Sequence, residues 1–281
     1  MKGVIVAAGY GSRFLPVTRV VPKELLPIVD RPALDWIVQE MVDAGVRDIL
    51  VISSRRKRAI EDWFDRDPEL EAALAHKPAM LERIAPPDVR VQVVRQQEMR
   101  GTGHALLLAR TFAGEDPVVV AFPDDLFTGG NCTAELVALH ERTGCSVLAA
   151  AEIDGDVSRY GVLETVERAD GALGVRRIVE KPAPGEEPSR LVSYGRYLYT
   201  PAIFAELARG LEAHGEGEFF PADAIGALGE RGEVVAAVVK SVRRDTGQPL
   251  DYLQTVVDLA LEHPEVGAPF AAWLRERARD L

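Results

Sequence analysis

Cysteine is almost missing from this chain: Cys132 and Cys145 are its only two in 281 residues. Two thiols are too few for a disulfide framework or a zinc cluster, so the expectation is a pair of reduced, partly buried thiols, which points to the cytoplasm. Long apolar runs are missing too, since no stretch reaches the roughly 18 residues that a membrane-spanning helix needs. The opening MKGVIVAAGYG has one lysine and five apolar residues before its second glycine, too short for the apolar core of a signal peptide. The sequence therefore reads as neither exported nor membrane-spanning. Positive charge is in deficit, with 33 Lys and Arg against 44 Asp and Glu and a net charge of -11. That balance excludes a broad nucleic-acid surface, which would need a basic face, and makes any phosphate site a local one.

What is present suits a soluble α/β protein, with 47% hydrophobic residues to build a core. Val4 to Ala8 is a short continuous apolar run ending at glycine, as in a strand buried on both faces of a parallel sheet. Leu34, Ile37, Val38, Met41 and Val42 recur at helical spacing, with Pro32 near the start and Gly45 where the helix would end. Asp48 to Ser53 is the next strand, which completes a βαβ unit. Further strands are expected at 89–94, 118–122 and 146–151, with helices around 105–110 and 133–142. The segment Arg66 to Asp88 is polar and proline-bearing, and reads as an insertion of short helices and loop.

Beyond about Ala151 the texture changes to short strand-like runs, with a hairpin signal at Ala169-Asp170-Gly171. Another strand is expected at YGRYLYT, helices at 202–209 and 222–230, a strand at 234–240, and helices from Pro249 onward. The fold expected is a doubly wound, mainly parallel (mixed) sheet flanked by helices. It is divided into a nucleotide-binding part (1–150), a part that completes the sheet and forms a small lid region (151–248), and C-terminal helices (249–281).

The stretch AAGYGSRFLP, followed by PKELLP, reads as a glycine-rich turn around an anion at the end of the first strand. A dinucleotide fingerprint would need a small residue where Phe14 stands, and an acidic residue at the end of the second strand, which instead closes on Ser53. A P-loop would need Gly-Lys-Ser/Thr at a spacing not found here. What remains is a turn whose N–H groups can wrap a polyphosphate, with Arg13 and Lys23 as cations. Asp124 and Asp125 in FPDDL follow an apolar strand, at the carboxyl end where ligands of open α/β sheets gather. Adjacent carboxylates there are costly unless paired or metal-bound. Gln96, in RQQEMRGTGHA, offers both donor and acceptor to a pyrimidine edge.

Together AAGYGSRFLP and PKELLP resemble the signature of the sugar nucleotidyltransferases. The likeness continues in order through VRQQEMRGTGHALL, FPDDL, RYGVLE, VEKP, GRYLYTP, GEFFPADAI and DTGQPLDYL, and is nearest to the bacterial UTP-glucose-1-phosphate uridylyltransferases. It implies a Rossmann-like nucleotidyltransferase fold and transfer of UMP from UTP to glucose-1-phosphate, releasing pyrophosphate. Arg13, Lys23, Asp124 and Asp245 would then carry the chemistry, with Asp124 and Asp245 as ligands of Mg2+. Ala8, Gly9, Gly11, Gln96, Gly103 and Asp125 would bind nucleotide, and Gly161, Glu180, Lys181 and Gly195 the sugar phosphate. Tyr160 would stand beside Gly161, Arg196 is a further candidate for phosphate, and His104 is read as packed or capping. The resemblance also implies a homodimer or homotetramer, with apolar positions such as Phe270, Trp273 and Leu274 offering a contact.

The chain departs from the pattern in three places. Phe220 stands where a polar residue is usual, Tyr10 where leucine is common, and Asp251 where glycine is common. Glu218 and Asp223 are left without an assigned role. These departures spare the phosphate and metal positions, so the reaction class is better supported than the substrate names. The alternatives are another pair of substrates, with dTTP or CTP or another hexose-1-phosphate, and a catalytically silent regulatory paralogue.

Overall fold

The computed structural model describes residues 1–280. Strand β1 (Lys2–Val6) leads through the glycine-rich turn to a small ribbon, β2 (Pro27–Ile28) and β3 (Arg31–Pro32), and then to helix α1 (Ala33–Asp43) and β4 (Asp48–Ser53). Short helices α2 (Arg58–Asp62), α3 (Pro68–Ala73) and α4 (Pro78–Ile84) precede β5 (Arg90–Arg95), so the polar insertion folds as expected. Next come α5 (Thr102–Leu107), α6 (Arg110–Ala113), β6 (Val118–Ala121), β7 (Asp125–Thr128), α7 (Cys132–Thr143) and β8 (Ser146–Glu152). The second half holds β9 (Gly161–Glu167), β10 (Leu173–Glu180), β11 (Leu191–Tyr199), α8 (Ala202–Ala213) and α9 (Ala222–Glu230). It ends with β12 (Val234–Val238), β13 (Val242–Asp245), α10 (Pro249–Glu262) and α11 (Gly267–Arg277).

Among the described residues, nine strands form one mixed sheet in the order β5-β4-β1-β6-β11-β8-β12-β10-β9. Its first four strands are parallel. Strand β11 runs antiparallel between β6 and β8 and welds the two halves of the chain together. The chain steps from β1 outward to β4 and β5, then returns to place β6 on the other flank of β1. That reversal opens a crevice between the carboxyl ends of β1 and β6. The glycine-rich turn follows one of these ends and Asp124 follows the other, so topology alone brings two distant motifs together.

The continuous apolar runs are buried on both faces because successive side chains alternate between them. Val4 and Val6 of β1 pack with Leu50, Ile52, Val118 and Val120 beneath Leu106 of α5 and Phe204 and Leu207 of α8. Ile5 points the other way, joining Ile49, Val51 and Val119 against Leu34, Ile37, Val38 and Met41 of α1. That stripe is the helical pattern read from the sequence, and α1 is closed by Gly45 at a left-handed φ of 83°. Both cysteines are free and buried. No helix among the described residues is long and apolar enough to cross a membrane.

Candidate active site

Two adjoining cavities lie at the carboxyl ends of β1 and β6. One, of ≈ 330 Å³, is lined by residues including Ala8, Gly9, Lys23, Gln96, Thr102 and Asp124. The other, of ≈ 410 Å³, is lined by residues including Arg13, Asp125, Gly161, Glu180, Gly195 and Asp245. Asp124, Thr102, Phe122 and Phe220 line both, so Asp124 stands where the two spaces meet.

The first cavity begins with the turn after β1. Gly11 sits at φ 67°, ψ 32°, a left-handed conformation that a side chain would strain, and Thr18 Oγ1 donates to its carbonyl at 2.7 Å. Gly9 has open space where a side chain would stand. Lys23 reaches across to donate to Asp124 Oδ2 at 2.8 Å. Burial opposes the charge on Lys23, but the carboxylates of Asp124 and Glu24 outweigh it and raise the ammonium above its ordinary value. Burial likewise opposes the charge on Asp124, yet Lys23 holds its carboxyl below the ordinary range. Both groups are therefore ionised at neutral pH.

A second buried pair, which sequence reading missed, supports this arrangement. Glu24 is 1% exposed and Lys57 5%. Lys57 Nζ donates to both Glu24 oxygens, at 2.8 and 2.9 Å, and to the Ala7 carbonyl at 2.6 Å. One ammonium thus pins the lysine-bearing motif to the end of β1. Glu24 alternates with Lys23 in the motif, but nothing local in the sequence indicated that its partner would come from the loop after β4.

Strands β7 and β13 form a two-stranded ribbon beside the main sheet, pairing Asp125 with Asp245. Neither strand was read from the sequence, each being only four residues long and β13 rich in charge. Residues two apart on a strand share a face, so Arg243 and Asp245 both turn toward Asp125, while Arg244 faces away to Asp258. Arg243 Nε donates to Asp125 Oδ1 at 2.6 Å and its Nη2 to Asp245 Oδ2 at 3.0 Å. Gly195 N–H donates to Asp125 Oδ2 at 2.6 Å. Burial raises the Asp125 carboxyl against the pull of Arg243. Asp125 is therefore held by protein on both oxygens and acts as a strut between strands. Arg243 is the second residue that sequence reading passed over, although the R-R-D spacing would have marked it had the strand been recognised.

Asp124 and Asp245 converge on Gly247. A β-carbon built on Gly247 would fall 2.8 Å from Asp124 Oδ2 and 3.2 Å from Asp245 Oδ1. Glycine keeps that cradle open between two hard oxygen donors, which suits a small divalent cation. Among the described residues no cluster of three or more His, Cys, Asp or Glu side chains is arranged to hold a metal. Two carboxylates would thus leave most positions of such an ion to water and phosphate, as magnesium prefers.

The remaining expected residues fall as follows. Glu180 and Gly161 are register partners on the β9–β10 hairpin, and a side chain on Gly161 would meet Glu180 Oε1 at 3.0 Å. Partial desolvation raises the Glu180 carboxyl, and Lys181 opposes the rise. Lys181 itself stands exposed at φ 48° and is not among the residues lining either cavity. Gln96 is buried at the edge of the first cavity. Gly103 is buried, and a side chain there would strike the Phe219 ring at 2.7 Å, so its smallness serves that packing. Glu218, left without a role, lines the first cavity.

Arg196 does not face the site. It is 0% exposed and donates to both Glu40 oxygens, at 3.0 and 2.8 Å, and to the Asp125 carbonyl at 3.3 Å. The alternation along β11 turns it inward, where it braces the strand that carries Asp125.

Comparison with known proteins bears on the same residues. A sequence profile of the nucleotidyl transferase family matches residues 2–261. A UTP-glucose-1-phosphate uridylyltransferase of Streptococcus pneumoniae is 40% identical over 291 aligned positions, covering 100% of this chain and 97% of the relative. One of the same description from Staphylococcus epidermidis is 37% identical, covering 98% and 97%. The solved structure of a UTP-bound UGPase from Acinetobacter baumannii superposes with a TM-score of 0.88 at 32% identity, covering 98% of both chains. The chain belongs to the nucleotidyl transferase family and, within it, to the group of the UTP-glucose-1-phosphate uridylyltransferases.

Proposed function

We propose that this chain transfers UMP from UTP to glucose-1-phosphate, giving UDP-glucose and pyrophosphate. The observation that carries this reading is the pair of cavities sharing Asp124, because the reaction requires two phosphorylated substrates to meet at one phosphorus atom. Its relatives carry the same activity in their names, and one bears UTP in its structure.

An oxygen of the sugar phosphate attacks the α-phosphorus in line, a new phosphoanhydride bond forms, and the bond to the β-phosphate oxygen breaks as pyrophosphate leaves. The protein's task is positioning and charge stabilisation rather than covalent chemistry. In this reading Ala8 and Gly9 cover the base and ribose, Gln96 reads the base, and the turn through Gly11 wraps the phosphates with Arg13 and Lys23; Gly103, expected beside Gln96, instead gives its N–H to the Phe219 carbonyl at 2.9 Å and lines neither cavity. Lys23, kept fully protonated, neutralises the charge that moves to the leaving group. Asp124 and Asp245 would hold a divalent cation, Mg2+, which when bound offsets repulsion between the two polyanions. Asp125 fixes Gly195 and the ribbon in place. Gly161 and Glu180 receive the hexose, and the exposed Lys181 swings in to its phosphate.

We assign residues 1–150 to nucleotide, 151–248 to sugar phosphate and 249–281 to a contact between copies. Exposed Trp273, stacked on Phe270 at 5.8 Å, supports a homodimer or homotetramer. The free thiols support a cytoplasmic setting. The test is pyrophosphate release with magnesium for UTP, dTTP, CTP, ATP and GTP, against glucose-, galactose- and mannose-1-phosphate. UTP with glucose-1-phosphate is expected to dominate and chelator to abolish turnover. Preference for another pair would replace the substrates, and UTP binding without turnover of any pair would favour a silent regulator.

A further inference from the structure

Gln96 follows the end of β5 and is 5% exposed. Its amide nitrogen carries two hydrogens, and both are taken inside the protein. One goes to the Gly101 carbonyl at 3.1 Å and the other to ring Nδ1 of His104 at 3.2 Å. A carbonyl oxygen can only accept, so Gly101 fixes which end of the amide is nitrogen. His104 agrees only as the neutral ring with its proton on Nε2, leaving a lone pair on Nδ1.

Both acceptors are themselves held in place. Gly101 has φ 87°, and a side chain on it would fall 2.5 Å from the Phe219 carbonyl oxygen. The flanking backbone is strapped by Phe219 N–H to Arg100 O at 2.8 Å and by Gly103 N–H to Phe219 O at 2.9 Å. His104 rides on α5, whose Ala105 and Leu106 are buried in the core. With its nitrogen committed, Gln96 has only Oε1 to offer the cavity it lines with Ala8 and Gly9.

We propose that His104 is a positioning residue that sets the class of base accepted. By holding the Gln96 nitrogen it presents Oε1, an acceptor, to the base edge. The base that fits is a pyrimidine whose N3 carries a hydrogen, as in uracil or thymine. Cytosine, whose N3 is an acceptor, meets oxygen with a lone pair and is rejected, because an unpaired polar contact in a buried site is costly. The inference rests on the first cavity being the nucleotide site, as proposed above.

The test is calorimetric binding of UTP, dTTP and CTP to the full chain and to two variants, with kcat and KM for UTP measured alongside. His104→Leu removes the acceptor, and His104→Asn restores an oxygen near the position of Nδ1. The expected result is a UTP-to-CTP affinity ratio lowered about three- to tenfold in His104→Leu, the size of one hydrogen bond, and recovered in His104→Asn. The dTTP affinity follows UTP, and kcat at saturating UTP stays close to that of the parent.

An unchanged ratio in folded His104→Leu overturns the proposal, as does an equal loss of affinity for all three nucleotides. Should His104→Leu fail to fold, His104→Phe keeps the ring volume without the nitrogen and is judged by the same ratio. Selective UTP binding without turnover of any sugar phosphate would fail the reaction reading while the affinity ratio still judged His104. Absence of UTP binding by the parent would overturn both.

Discussion

Asp125 and Asp245 face each other as register partners across the β7–β13 ribbon, and a single guanidinium, that of Arg243, donates to both, at 2.6 and 3.0 Å. This shared cation joins the residue that braces the site to one proposed to hold the metal. It explains how three carboxylates, Asp124, Asp125 and Asp245, are gathered at the end of a sheet without driving it apart. Lys23 pairs with the first and Arg243 bridges the other two.

Removing Arg243 should therefore damage more than catalysis. Arg243→Ala leaves Asp125 buried with one of its two partners gone, and breaking a buried pair from one side costs about 3–5 kcal/mol. Urea unfolding is expected to show that loss, with Asp125→Asn recovering part of it in the same background. Full stability in Arg243→Ala would mean that the ribbon does not depend on this cation.

On the proposed reading, Asp124→Asn, Asp245→Asn and Lys23→Ala should each lower turnover on the order of a hundredfold or more while the circular dichroism spectrum is kept, since the first two would remove a ligand of the cation and the third a positive charge beside the phosphates. Near-parental pyrophosphate release by folded Asp124→Asn and Asp245→Asn proteins would sink the metal assignment.

Gly247→Ala makes a sharper test of the cradle, because it adds one methyl group and changes no charge. That carbon would sit 2.8 Å from Asp124 Oδ2, tighter than a normal contact, so the two carboxylates must part. The expected outcome is a higher metal requirement in a magnesium titration of turnover, with a melting temperature close to the parent's. An unaltered magnesium curve would count against the cradle.

The Glu24–Lys57 pair, beneath the motif that carries Lys23, predicts a stability pattern of its own. Either Lys57→Met or Glu24→Leu alone strands a buried polar group and should cost roughly 3–5 kcal/mol. Lys57→Met combined with Glu24→Leu should recover much of that, which a double-mutant cycle of unfolding free energies would read. Additive losses would show that the two residues act independently.

Acid should erode the contribution of Asp124 in a defined window. Its folded-state pKa lies below the ordinary 3.8, so the folded form binds fewer protons than the unfolded chain there. The stabilisation is complete above the ordinary value and is lost as pH falls through the lower, folded one. The gap in unfolding free energy between parent and Asp124→Asn should stay level from about pH 7 to about pH 5 and narrow below 3.8. A gap that is constant down to about pH 3 would contradict the Lys23–Asp124 pairing.

Much of this molecule is legible along the chain. The two-faced apolar run of β1, the helical stripe of α1 closed at Gly45, and the hairpin at Asp170-Gly171 are local patterns, and their elements lie where the patterns put them. The motifs around Lys23, Asp124 and Gln96 stood out through their resemblance to a family signature, since each read alone also fits an ordinary turn or loop, and the fold brings all three to one cavity. The four-residue strands β7 and β13 were not, since neither holds the alternating apolar pattern that marks a strand and each pairs with the other in a separate ribbon.

The direction of a side chain was the other thing the sequence withheld. Arg196 and Arg243 look alike as arginines near a glycine or an aspartate, but pleat alternation buries the first against Glu40 and turns the second toward Asp125. The sequence by itself determined most of the elements and the acidic balance with its few local cations, because those depend on composition and short-range spacing, and its ordered motifs determined the family of the chain. Tertiary structure alone decided which polar groups meet: Lys57 with Glu24, Arg243 with two aspartates, and His104 with Gln96. The Lys57–Glu24 and Arg243–Asp125 pairs join residues 33 and 118 positions apart, and even His104 reaches Gln96 only around a glycine loop strapped to Phe219. Coulombic and hydrogen-bond partners are fixed by distance in space, and only the folded chain sets that distance.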